Sequence, residues 1–301
     1  MARTTDFLSQ TRGKLDEMFQ TRQTDHGTFL VRNPKRRSTR RSEKQANMRC
    51  QMANAGANFR LFQGMLTEAF EGKNPGQNDF NIFVAVNYGK SPVFITKQES
   101  AARGCVLGNY QYSRGSLNPI GLGLDAGVLV TNLNLGSLVI NANTTVAEFS
   151  QALMANNEDW EEDDQLTYFV ATQWIDTEGV PRATMNSYRM TLSTINQTKL
   201  WNKVSAKGFA IVSVAGQGNV LGMSEALNNA SASYIHSRNL SDGSTQVSTQ
   251  RMVTVSDILA RYQGEEAMLA SAASYGGITP KEVYLNPMNT LSDMRFASAK
   301  Q

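Results

Sequence analysis

The chain has 301 residues, 41% hydrophobic and 18% charged, with a formal net charge of +3; this gives one or two domains with a real core and excludes a disordered chain. Cys50 and Cys105 are too few for a disulfide framework and lack metal-ligand spacing. With only His26 and His236 in the chain, a His-based triad or zinc site would need unusual help, and no apolar run approaches the roughly 20 residues of a membrane span.

The charge is unevenly placed. Thirteen Lys and Arg face five acids in the first sixty residues, an excess of about +8, while the rest of the chain sums to about −5. At the centre of this basic stretch, Arg32-Asn33-Pro34-Lys35-Arg36-Arg37-Ser38-Thr39-Arg40-Arg41 has no apolar anchor, and Pro34 disfavours an early helix. Residues 1–42 read as an extended basic arm that seeks an anionic or acidic partner through Arg32, Lys35, Arg36, Arg37, Arg40 and Arg41. A solvated charge run with no partner is the plainer alternative.

Ser42-Glu43-Lys44-Gln45 has the spacing of a capping box, so a helix is expected from residue 43 to 72. Met48, Met52, Ala55, Phe59, Phe62, Leu66 and Phe70 recur at steps of three and four along it, the stripe of an amphipathic helix. It would end near Gly72-Lys73-Asn74-Pro75-Gly76, a cluster of breakers.

From Asp79 the period changes. Phe80, Ile82, Val84 and Val86 alternate with Asn81, Phe83, Ala85 and Asn87, which predicts a strand. Further strands are expected over 105–112, 128–133, 138–142, 166–176, 182–193, 208–215, 230–237 and 246–255. Thr177-Glu178-Gly179-Val180-Pro181 and Ser241-Asp242-Gly243-Ser244 read as turns. This spacing predicts a mainly β, α+β fold over 79–255, an antiparallel β-sandwich-like body that is either one unit or two subdomains split near 145–165. Short accessory helices are expected over 145–156 and 256–274, the latter opening a C-terminal segment, 256–301.

Between the first accessory helix and the next strand lies Glu158-Asp159-Trp160-Glu161-Glu162-Asp163-Asp164, six acids around one Trp. The acids Glu158, Asp159, Glu161, Glu162, Asp163 and Asp164 complement the arm and form a candidate contact for a basic partner. A solvated loop explains them equally, and a calcium loop less well, because EF-hand spacing is absent. Tyr88-Gly89-Lys90-Ser91 lacks the first glycine of a phosphate loop, and Gly121-Leu122-Gly123 and Gly216-Gln217-Gly218 lack a third glycine and read as turns. His236 falls inside an expected strand and reads as structural. No catalytic residue, cofactor site or metal site is expected.

Three segments resemble an uncharacterised family of bacterial and phage-encoded proteins, a domain of unknown function found mainly in Bacteroidetes and their viruses. The first is Arg32-Asn33-Pro34-Lys35-Arg36-Arg37 with Gln45, Arg49, the apolar stripe and Phe80-Asn81-Ile82-Phe83-Val84-Ala85-Val86-Asn87. The others are Tyr112-Ser113-Arg114-Gly115-Ser116-Leu117, and Ser241-Asp242-Gly243 leading to Val247-Ser248-Thr249-Gln250-Arg251-Met252-Val253. The resemblance spans about residues 10–255 and implies a sandwich body without catalytic residues and, through its phage members, a place in a virion.

Together these readings give a non-enzymatic structural protein of a homo-oligomeric assembly, a neck, tail or ring component of a tailed phage made in the cytoplasm of a bacterial host. Its partners would be copies of itself and other virion proteins, with no membrane. The alternative is an accessory protein that binds nucleic acid through the basic arm; the lack of aromatic residues among those charges counts against it.

Overall fold

The computed structural model describes residues 2–3, 13–14, 19–24, 27–32, 43–66, 69–73 and 77–276. The chain divides into two units, residues 1–41 with 73–78 and residues 42–72 with 79–301.

In the first unit β1 (Ala2–Arg3), β2 (Gly13–Lys14), β3 (Phe19–Thr24) and β4 (Gly27–Arg32) form an antiparallel sheet of order β1-β4-β3-β2. The β3–β4 pairing runs from Phe19↔Arg32 to Thr24↔Gly27. The extended arm expected over 1–42 is therefore corrected for residues 19–24 and 27–32, which pair with each other as antiparallel strands. Thr21, Phe29, Leu30 and Val31 supply uncharged, β-favouring positions between the basic residues.

The second unit is mainly β and of the α+β class. Its central sheet has the order β12-β11-β7-β8, with β13 also paired to β11. These strands are β7 (Gln165–Ile175), β8 (Pro181–Thr191), β11 (Ala230–Asn239), β12 (Thr245–Val247) and β13 (Val253–Val255). A second sheet, β5-β6-β10-β9, is built from β5 (Leu122–Asp125), β6 (Val128–Asn134), β9 (Ala210–Val214) and β10 (Gly218–Ala226). All the ladders are antiparallel.

The central sheet is covered on both faces, because successive strand residues point to opposite sides. Leu166 and Tyr168 of β7 join Tyr234 of β11, Leu129 of β6 and Leu221 of β10 in one core, roofed by Phe149 of helix α4 (Val146–Asn156). That sheet-on-sheet contact is sandwich-like. Tyr234, Tyr168 and Tyr188 stand in one row across three strands, with ring centroids 5.0 and 6.3 Å apart. Phe169 and Ala171 of β7 face the other way, into a second core with Phe62 of α1 (Glu43–Leu66) and Phe83 of α2 (Asp79–Asn87). Two further helices, α5 (Asp257–Ala260) and α6 (Gly264–Gly276), follow, and Ala272 of α6 packs with Ala46 and Cys50 of α1.

Several expected elements are corrected here. Residues 80–87 are helical: Ile82, Phe83, Val86 and Asn87 are buried while Asn81 and Ala85 are exposed, a pattern only a helix produces. The first helix ends at Leu66, and the buried side of α1 runs through Ala46, Cys50, Asn54, Asn58, Phe62 and Met65, leaving Met48 exposed. The expected cap Ser42 lies outside the described residues. Helix α3 (Lys97–Ala101) was not anticipated; Thr96 and Glu99 close a capping box on it, as Thr145 and Glu148 do on α4.

The strand expected over 105–112 belongs to none of the sheets, and the peptide groups of Val106, Leu107 and Gln111 bond to side-chain amides. Asn54 takes the Val106 N–H on Oδ1 and donates Nδ2 to the Val106 carbonyl, both at 2.9 Å. Asn87 does the same for Gln111, at 2.6 and 2.8 Å, and Gln173 accepts from Leu107 N–H at 2.9 Å. A primary amide presents the same donor and acceptor as a peptide, so these side chains satisfy buried backbone that would otherwise be orphaned. Residues 138–142 form no strand, and 246–255 is broken into β12 and β13, between which residues 248–252 bond to 110–113. No helix among the described residues is long and apolar enough to cross a membrane.

Candidate interaction surface

The acidic loop, residues 158–164, connects α4 to β7, and the pairing of the central sheet determines what it meets. Gln165 pairs with Ser237, so continuing the β7–β11 register one residue further sets Asp164 opposite Arg238, with His236 one step inward. Arg238 and His236 are two apart and point to the same side of β11.

Asp164 is fully buried and every bond it makes is internal. Its Oδ1 accepts from Arg238 Nε at 2.6 Å, and its Oδ2 accepts from Arg238 Nη2 at 2.8 Å and from Glu161 N–H at 2.9 Å. His236 Nε2 lies 2.8 Å from the same oxygen. The His236 ring stacks on Trp160 at 3.8 Å and 14°. Burial alone would raise the Asp164 pKa, but the bonds from Arg238, His236 and Glu161 N–H outweigh it and hold the carboxyl at about 2.

This clamp fixes the rest of the loop. Arg238 also bonds the Asp159 carbonyl at 2.9 Å and pairs with Glu161 at 3.1 Å. The Glu162 carboxylate accepts from Thr194 N–H at 2.9 and 3.0 Å, and Asp163 takes a left-handed conformation, φ 68°, as Asp tolerates in a tight turn. Of the six acids read as one surface, Glu158, Asp159, Glu161, Glu162 and Asp163 are exposed. Asp164 is the correction: it is the buried anchor of that surface and cannot meet an outside partner.

Of the basic set, Arg32 ends β4 with its side chain exposed. Lys35, Arg36, Arg37, Arg40 and Arg41 lie outside the described residues. Arg238 and Trp160 as supports of the loop were missed by the sequence reading; the available signal was the alternation of His236 and Arg238 on a strand otherwise made of small and apolar residues. Among the described residues, no three of His, Cys, Asp and Glu converge as a metal's ligands would. Burial pushes the Cys50 thiol up to about 11 and the Cys105 thiol up to about 12.

Comparison with protein-family models, with curated proteins and with solved structures finds no match to this chain.

Proposed function

We propose that this protein is a non-enzymatic structural component of a homo-oligomeric assembly, a neck, tail or ring protein of a tailed phage, in which the basic residues near the N-terminus of one subunit engage the acidic loop of the next. The observation that carries this reading is the loop itself. Five exposed acids stand on one seven-residue loop that a buried clamp anchors through the Asp159 carbonyl, Glu161 and Asp164, and the chain carries its cationic excess elsewhere, in the first sixty residues. Opposite charges on separate parts of identical subunits favour a head-to-tail contact, the kind that builds a ring where its rotation closes and a filament where it does not. Assignment to a virion rests on the family resemblance and on the low charge of the body.

The test is sedimentation of the full chain at low and high salt, beside a variant with Lys35, Arg36, Arg37, Arg40 and Arg41 changed to Gln. Association that weakens with salt in the parent and is lost in the variant supports the reading. Unchanged association in the variant refutes the charge contact. A gel shift with duplex DNA that depends on those five residues, with no association between subunits, transfers the arm to the nucleic-acid alternative.

A further inference from the structure

Among the described residues, β9 is bonded to β10 along one side and to no strand along the other. An open strand edge is a row of unused N–H and C=O groups, and folded proteins blunt it with charge, proline, brevity or cover. The other outer strands of this unit follow that rule. β5 has four residues and ends on Asp125, while β8 opens on Pro181 and carries Arg182 and Arg189. β12 and β13 have three residues each, and Val247 of β12 is bonded on its carbonyl by Leu117 N–H and on its N–H by the Glu71 carboxylate.

Among the described residues no strand covers the free side of β9, and it carries neither charge nor proline. Ala210-Ile211-Val212-Ser213-Val214 is uncharged, proline-free and rich in β-branched residues. Lys207, just before it, is paired with Glu225 at 3.3 Å. Beside the strand lies a shallow hollow of about 300 Å³, lined by Leu138, Ile140, Trp201, Phe209 and Ile211, with Val139 on the same lining 71% exposed.

We propose that β9 is the edge by which two copies of this chain join, antiparallel across a two-fold axis, to make one continuous sheet with the two hollows packed over the seam. A second copy is the occupant the patch fits. An isologous contact must be complementary to itself, and this one offers both a projecting apolar side chain and a hollow to receive one, with no charge in the strand to repel its own image. The register follows from pairing rules. Residues that face each other across an antiparallel ladder have their peptide groups turned the same way, so the axis must pass through a residue. Only an axis at Val212 pairs all five residues, setting Ala210 against Val214 of the second copy and Ile211 against Ser213.

The inference rests on the reading that the chain assembles with itself, and it adds a second contact, distinct from the charged one. The experiment is sedimentation velocity on the full chain across a wide concentration range, with Ser213→Lys on the edge and Leu124→Lys on the far edge of the same sheet as control. Both positions are exposed, so neither change disturbs a core. Ser213→Lys is expected to weaken the association at least about tenfold by placing like charges across the seam, and Leu124→Lys to leave it unchanged. In parallel, Val212→Cys is expected to give a disulfide-linked dimer under mild oxidation, because facing residues lie within bridging distance and the native thiols are buried. Association that persists unchanged in Ser213→Lys, with no covalent dimer from Val212→Cys, overturns the edge contact and leaves the assembly reading standing. A wild-type chain that stays monomeric throughout, its edge left to some other protein, overturns both.

Discussion

Changing Arg238 to Met tests whether the acidic loop is held by its buried clamp. The guanidinium gives Asp164 two of its four close contacts, at 2.6 and 2.8 Å, and removing it leaves a fully buried carboxylate with only His236 and the Glu161 N–H. Removing one partner of a buried pair costs about 3–5 kcal/mol. The Arg238 side chain is itself 20% exposed, so water can take part of its place, and the lower end, about 3 kcal/mol, is expected. For a body of this size that lowers the melting temperature by about 6–12 °C. Urea unfolding followed by Trp emission measures it, and Trp160, stacked on His236, reports the loop directly. Asp164→Asn in the same chain removes the stranded charge, so the double variant is expected to be clearly less destabilised than the sum of the singles. A cost for Arg238→Met below about 1 kcal/mol, or plain additivity in the double variant, refutes the clamp.

The same carboxyl sets an acid limb to stability. Its pKa is held at about 2 against an ordinary 3.8, so its contribution of about 2 kcal/mol is present above pH 3.8 and is lost as the pH falls toward 2; Asp164→Asn should flatten that part of the stability curve, and an unchanged slope contradicts the assignment. Asn54→Leu orphans the Val106 N–H, while the Val106 carbonyl keeps Asn58 Nδ2 at 2.9 Å, and is expected to cost about 1–3 kcal/mol in chemical denaturation, where a near-neutral result would mean that the amide pairing is dispensable. Gly115→Ala would drive a Cβ into the Val247 carbonyl and Glu71 Oε1, forcing backbone apart; a loss of about 2–3 kcal/mol is expected, and an unshifted urea midpoint argues against that packing.

The strands over 166–176, 182–193, 208–215 and 230–237 were legible because each pairs β-branched or aromatic residues with a turn, as at Thr177-Glu178-Gly179-Val180-Pro181. Residues 80–87 were not, because Phe80, Ile82, Phe83, Val84 and Val86 satisfy periods of 2 and 3.6 at once in a segment too short to separate them. The true face is marked by Asn87, a polar residue that is buried for its hydrogen bonds. On α1 the buried face likewise carries the amides Asn54 and Asn58, while Met48 of the apolar stripe is exposed. At the acidic loop the sequence displayed the charges but not their division of labour. Asp164 differs from its five neighbours only through the β7–β11 register, which brings Arg238 and His236 to it from more than seventy positions away.

Strand β7 is a party wall: its odd and even side chains serve different tenants, the helices on one side and the second sheet on the other. A slip of one position would hand each side chain to the wrong room, so the two halves of the body cannot settle independently and must agree on that strand before either is finished. Melting is expected to be shared between them for the same reason, as a single loss of both interiors.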